Sequence, residues 1–152
     1  MKIMAVASIG GHWIQLLRLR PVFEGQDVVF VSTKASFASM VSNCKFYTIP
    51  DGSRKNPINL LLSFKVLFKI LRQEKPEAIL STGAAPGLLA LLCGKILGKK
   101  TIWVDSVANV EKLSMSGILA SKFATHVYTQ WPDLAQGTIK YAGSVLAKEQ
   151  KQ

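Results

Sequence analysis

Along this chain, short unbroken apolar runs alternate with longer stretches in which apolar positions recur every three or four residues. Ile3 to Ala7 reads as a buried strand, and Ile14, Leu16, Leu17 and Leu19 open an amphipathic helix. Pro21 to Gln26 is a connection. Val28 to Val31, ending in Ser32-Thr33, has the β-branched, unalternating character of a strand covered on both faces. Phe37 to Val41 reads as a short helix and Phe46 to Ile49 as a third strand, stopped by Pro50-Asp51-Gly52. Beyond a polar basic loop, Ser53 to Pro57, come a helix over Ile58 to Arg72 and a fourth strand at Glu77 to Leu80. A small-residue junction, Ser81 to Gly87, leads into a helix at Leu88 to Leu97. Lys100 to Val104 is a fifth strand, Leu113 to Phe123 a helix and Thr125 to Thr129 a sixth strand. A short segment around Ile139 to Gly143 and a polar tail follow.

Strand–helix alternation of this kind predicts an α/β fold, a Rossmann-like, mostly parallel sheet with flanking helices. One domain is expected over residues 1–147, with 148–152 as the tail. In such open sheets ligands bind beyond the carboxyl ends of the strands. Those ends carry Ser8 to His12, Ser32-Thr33, Ser81-Thr82-Gly83, Asp105-Ser106 and Gln130-Trp131, so small and polar residues gather on one rim.

Composition narrows the partners. The 152 residues are 49% hydrophobic and 18% charged, which suits one globular domain. Nineteen basic against nine acidic side chains give a net charge of +10 and so favour an anionic partner. Nucleic acid is set aside, because the basic residues do not interleave with strand aromatics and no recognition signature is present. Cys44 and Cys93 lack metal-type spacing and read as reduced, packed thiols of a cytoplasmic chain. Met1-Lys2 runs straight into the first strand, so no leader is expected.

Candidate chemistry starts at Ala7-Ser8-Ile9-Gly10-Gly11-His12. Glycines at a strand-to-helix turn let backbone approach a ligand, and the free N–H groups of the helix start favour an anion. The triplet lacks the third glycine of a dinucleotide fingerprint and the Lys-Ser/Thr of a P-loop. His12 can donate to a phosphate oxygen, exchange a proton, or serve only as a first-turn helix residue. Ser81, Thr82 and Gly83 offer a second hydroxyl- and glycine-bearing turn, or ordinary capping of the next helix. Asp105, with Ser106 beside it, and Glu111 are the carboxylates nearest the rim, and either suits a general base as well as a cap or a solvated pair. His126, inside a strand, reads as structural. No metal cluster or nucleophile triad is visible.

The helix at Ile58 to Arg72 is apolar around most of its circumference and carries Lys65, Lys69 and Arg72 on one face. It is shorter than the roughly 20 apolar residues of a membrane span. With Arg54, Lys55 and Lys75 at its flanks it reads as an interfacial helix on an anionic membrane, with Leu61, Phe64 and Phe68 available to insert. The other reading is a crossover helix with its lysines in water.

Taken together, Ala7 to His12 with Gln15-Leu16-Leu17-Arg18-Leu19, Phe30 to Thr33, Asp105-Ser106, Leu113 to Gly117 and Gln130-Trp131-Pro132 resemble the acceptor-side, membrane-anchor subunits of bipartite GT-B glycosyltransferases. These are the bacterial PssD-type polysaccharide biosynthesis proteins and the eukaryotic anchor subunits of the asparagine-linked-glycosylation UDP-GlcNAc transferase. The resemblance implies the N-terminal half of a GT-B enzyme. A separately encoded, small donor-binding subunit would supply the rest and hold the UDP-sugar, with no cofactor in this chain. It implies inverting transfer to a polyprenyl-diphosphate-linked acceptor, in exopolysaccharide or capsule assembly, at the cytoplasmic face of the bacterial inner membrane. Gly10, Gly11 and His12 would then face the acceptor phosphates and the catalytic crevice, and Ser81 to Gly83 would form a second rim. Eukaryotic members carry an N-terminal span that this sequence does not show, which shifts anchoring onto Ile58 to Arg72. Two other readings stand beside this one: a non-catalytic membrane adaptor that only recruits the partner, and a free-standing small-molecule binding domain.

Overall fold

A computed structural model describes residues 1–53 and 55–146, so Arg54 and the expected tail lie outside the described residues. Seven strands form one sheet: β1 (Lys2–Ala7), β2 (Asp27–Ser32), β3 (Lys45–Thr48), β4 (Ala78–Gly83), β5 (Lys100–Val104), β6 (His126–Thr129) and β7 (Ile139–Tyr141). Every pairing is parallel and the spatial order is β3-β2-β1-β4-β5-β6-β7. The connecting helices are α1 (Gly11–Arg18), α2 (Pro57–Glu74), α3 (Ala84–Ile96) and α4 (Met115–Ala120). Short 3-10 turns cover Arg20–Phe23, Ala35–Val41 and Pro132–Leu134.

Period-two alternation sorts the strand side chains onto two cores. Met4, Val6, Val29, Val31, Ile79 and Trp103 face Leu67, Ile70 and Leu71 of α2, Leu91 and Cys93 of α3, and Ala120 of α4. Ala5, Ala7, Val28, Phe30 and Leu80 face Trp13 and Leu16 of α1 and Phe23. Burial on both sides explains why the strands read as continuous apolar runs.

Several boundaries differ from those the sequence predicts. β4 runs on through Ser81, Thr82 and Gly83, all buried, and α3 begins at once with Ala84, so the expected junction is strand and helix start. The last helix shortens to α4 because Leu113 and Ser114 belong to a loop tied to Asp105. The segment at Ile139 is a seventh strand, paired with β6. Cys93 is buried, which pushes its thiol up to about 11, whereas Cys44 is exposed and not packed as expected.

At the amino end of the sheet, Glu74 closes α2 onto two strands. Its carboxylate accepts from Lys2 Nζ at 2.8 Å, from Lys45 Nζ at 3.3 Å and from the Tyr47 hydroxyl. These donors hold Glu74 down to about 2.

Candidate functional site

The strand order reverses direction between β1 and β4, and the crevice of a doubly wound sheet opens at such a switch point. His12 follows β1 and Thr82-Gly83 end β4, so topology brings them together across 70 residues. His12 Nδ1 lies 3.3 Å from the Thr82 carbonyl, and Thr82 Oγ1 donates to the His12 carbonyl at 2.6 Å. A Cβ on Gly83, whose φ is +150°, would stand 2.1 Å from Nδ1. Glycine is therefore required here both by the ring and by the backbone.

Two helices start at this point, α1 after Gly10 (φ +83°) and α3 after Gly83, and neither is capped by a side chain. By contrast, Asn56 caps α2 and Ser114 caps α4. The first turns of α1 and α3 thus keep N–H groups directed at the crevice, where they favour negative charge. Ala84, the first residue of α3, has φ +64°, a conformation that costs an L-residue about 1–2 kcal/mol.

The support beneath is rigid. Trp13, next to His12, is fully buried, stacked on Phe37 with centroids 5.0 Å apart and edge-on to Phe30 and Phe46. Gln15 Nε2 donates to Ser106 Oγ at 3.0 Å, while Gln15 Oε1 accepts from Gln130 Nε2 at 2.6 Å and from Val107 N at 3.1 Å. Gln130 also donates to the Asp105 carbonyl and accepts from Val145 N.

These bonds divide the expected site residues into two groups. His12 is half-buried and Gly10 and Gly11 are exposed, so these three stand at the surface of the crevice. Ser81 and Thr82 have no exposed surface, and their hydroxyls are bonded to Gly83 N and to the His12 carbonyl. Ser8 is buried as well, and Ser106 is held by Gln15. Asp105 points inward: Oδ1 accepts from Trp103 Nε1 at 3.0 Å and Ser114 Oγ at 2.5 Å, and Oδ2 from Ser114 N at 2.9 Å and Asn109 Nδ2 at 3.3 Å. Ser81, Thr82, Asp105 and Ser106 thus spend side-chain hydrogen bonds on the protein itself, while the Ser8 hydroxyl has no such bond among the described residues. Glu111 is exposed in the loop, and His126 lies within β6 with Lys140 Nζ 3.4 Å from its Nδ1. Trp13 and the strained Ala84 are not singled out by the sequence, and Gln130, which the sequence places on the rim, gains its role from its bonds to Gln15 and the Asp105 carbonyl. Only the Trp at a helix start within a Gly-Gly-His-Trp run gave a signal.

On α2, Lys65, Lys69 and Arg72 are exposed, as is Lys55 before it. Phe64 and Phe68 do not stand free as expected: they stack on each other at 6.2 Å and pack against the core. The exposed apolar side chains are Ile58, Leu61 and Leu62. The helix is broadly apolar because it packs on the sheet core and against α3 at once. No helix among the described residues is long and apolar enough to cross a membrane.

A groove of about 660 Å³ lies on the α1 side of the sheet. Leu80, Ile102, Val104 and Tyr128 line it together with Leu19 and Val22.

The family model described as "Oligosaccharide biosynthesis protein Alg14 like" matches residues 29–145. The UDP-N-acetylglucosamine transferase subunit alg14 of Schizosaccharomyces pombe is 40% identical, over 83% of this chain and 73% of that protein. The human UDP-N-acetylglucosamine transferase subunit ALG14 is 26% identical, over 95% of this chain and 81% of that protein. Among solved structures, MurG of Acinetobacter baumannii superposes with a TM-score of 0.79 at 18% identity, over 97% of this chain and 46% of MurG. The likeness shows the fold, that of GT-B glycosyltransferases such as MurG, and the chain spans less than half of MurG's length.

Proposed function

The chain belongs to the Alg14-like family of oligosaccharide biosynthesis proteins, and on that premise we propose that it is the acceptor-side half of a two-component, membrane-associated glycosyltransferase. It binds a polyprenyl-diphosphate-linked acceptor, while a separate small subunit binds the UDP-sugar. The acceptor hydroxyl attacks the anomeric carbon, UDP leaves with the bonding pair, the configuration inverts, and the hydroxyl proton passes to His12. The bacterial setting, exopolysaccharide or capsule assembly of the PssD type at the cytoplasmic face of the inner membrane, is part of this proposal.

The observation that carries the reading is the convergence of His12 with two uncapped helix starts at the switch point. A diphosphate matches the N–H groups at the glycine turn of Gly10 and Gly11, and a histidine beside it suits proton transfer from a hydroxyl. A partner is supported by the relatives' description as subunits and by the apolar groove, which offers a surface for a second chain.

Membrane contact is supported by α2. Among its exposed positions, 58, 61, 65, 69 and 72 follow one another at steps of three and four and form a single stripe, with 62 beside 61. The first turns of that stripe are Ile58, Leu61 and Leu62, and the later ones Lys65, Lys69 and Arg72. Because α2 follows β3 and precedes parallel β4, its apolar end lies toward the crevice. That arrangement turns the acceptor site toward the bilayer, with lysines placed for anionic headgroups.

The test is sugar transfer by this chain together with a separately encoded donor-binding subunit. His12→Ala lowers transfer by about 10²-fold or more, while complex formation and vesicle binding persist. Unchanged transfer would give the adaptor reading the advantage, and full transfer by this chain alone would sink the two-component reading.

A further inference from the structure

A carbonyl oxygen can only accept a hydrogen bond, so a hydrogen bond between His12 Nδ1 and the Thr82 carbonyl, 3.3 Å apart, requires hydrogen on Nδ1. We infer that Thr82 and Gly83 are positioning residues that hold neutral His12 with Nδ1 protonated, so that Nε2 carries the lone pair offered to the acceptor hydroxyl. The inference rests on the reading of this crevice as an acceptor site, and it goes further by assigning the accepting atom and the groups that select it.

Three constraints act on one ring. The Thr82 carbonyl oxygen lies 3.3 Å from Nδ1 and can only accept from it. The Thr82 hydroxyl, fully buried, donates to the His12 carbonyl at 2.6 Å and so ties the start of α1 to the end of β4. Gly83 leaves open the space that the imidazole fills, since a Cβ there would lie 2.1, 2.6 and 2.9 Å from Nδ1, Cε1 and Cγ. Trp13 anchors the adjoining residue of α1 in the aromatic core, so the ring is carried on a fixed element. A carboxylate does not take the orienting role: Asp105 is committed to Trp103, Asn109 and Ser114. The imidazolium formed on proton transfer keeps its Nδ1–H on the same carbonyl, so no rearrangement of the protein accompanies the step.

The experiment is nitrogen-15 NMR of the full chain labelled at histidine, read at alkaline pH, with His12→Ala for assignment. The expected result is a protonated Nδ1 and an unprotonated Nε2 in the wild-type chain. Gly83→Ala displaces the ring and returns the tautomer mixture of a solvated histidine. In the assay with the partner it lowers kcat by about tenfold or more, with the acceptor KM within about twofold. Thr82→Val keeps the carbonyl and the branched shape but removes the hydroxyl bond, so kcat falls by a smaller factor, and Thr82→Ser restores it. A protonated Nε2 in the neutral wild-type ring overturns the inference, even if Gly83→Ala fails to fold. So does a Thr82→Val kcat equal to wild type. If the Nδ1–H tautomer is found while His12→Ala transfers sugar normally, the tautomer assignment stands and it is the catalytic reading of the crevice that fails.

Discussion

Asp105 accepts both the hydroxyl and the backbone N–H of Ser114, at 2.5 and 2.9 Å, and Ser114 in turn caps α4 by accepting from Gly117 N at 2.9 Å. The carboxylate that follows β5 thus organises the loop into α4. Gly117 is the close-packing point, since a Cβ there would stand 2.6 Å from Asp105 Oδ1.

Replacing that carboxylate by its amide tests the assignment. Asp105→Asn turns an NH2 group toward Trp103 Nε1 or Ser114, both donors, and leaves a buried donor unpaired. The expected loss is about 2–3 kcal/mol of stability. In urea unfolding the midpoint drops while the slope is kept, and transfer measured on the folded fraction changes little. A base at this position would instead lose turnover with stability intact.

Acid sensitivity should trace to Glu74. Its folded pKa of about 2 lies below the ordinary 4.5, so its bonds to Lys2, Tyr47 and Lys45 stabilise the fold fully above about pH 4.5. That contribution is lost as pH falls from there toward 2. Glu74→Gln should cost roughly 2 kcal/mol near neutral pH and flatten the fall in melting temperature below pH 4.5. Thermal unfolding followed by circular dichroism against pH reads both.

Ala84→Gly reverses a usual sign. Inside a helix this change costs about 1 kcal/mol. At φ +64° it relieves a conformation costing about 1–2 kcal/mol, so stability is expected to hold or rise by roughly 0.5 kcal/mol. A looser start to α3 then weakens acceptor binding. Denaturation curves and the acceptor KM check the two halves separately.

For α2, changing Lys65, Lys69 and Arg72 together to Gln should weaken sedimentation with anionic vesicles at low salt, and the difference should shrink as salt rises. Leu61→Ser with Leu62→Ser, both exposed, should weaken it at every salt concentration without a drop in melting temperature. Phe64→Ser and Phe68→Ser should destabilise the fold itself, because those rings pack on the core.

The order of the first six strands and of the helices between them, the parallel α/β class and the glycine turn at Gly10-Gly11-His12 follow from the sequence alone. Hydrophobic periodicity is a local property, and a sheet buried on both faces imposes it on every strand. That Ser81, Thr82, Asp105 and Ser106 would be polar residues at strand ends was equally legible. Their partners were not, because a hydroxyl or carboxylate reads the same in sequence whether it meets a ligand or, as with Thr82, a backbone carbonyl 70 positions away. Tertiary structure decided that Thr82 and Gly83 close on His12, that Gln15 and Gln130 bind Ser106 and the Asp105 carbonyl, and that Phe64 and Phe68 turn inward while Leu62 turns out. Each depends on which strands lie side by side, and that long-range pairing brings β4 next to β1 with β2, β3 and α2 between them in the chain.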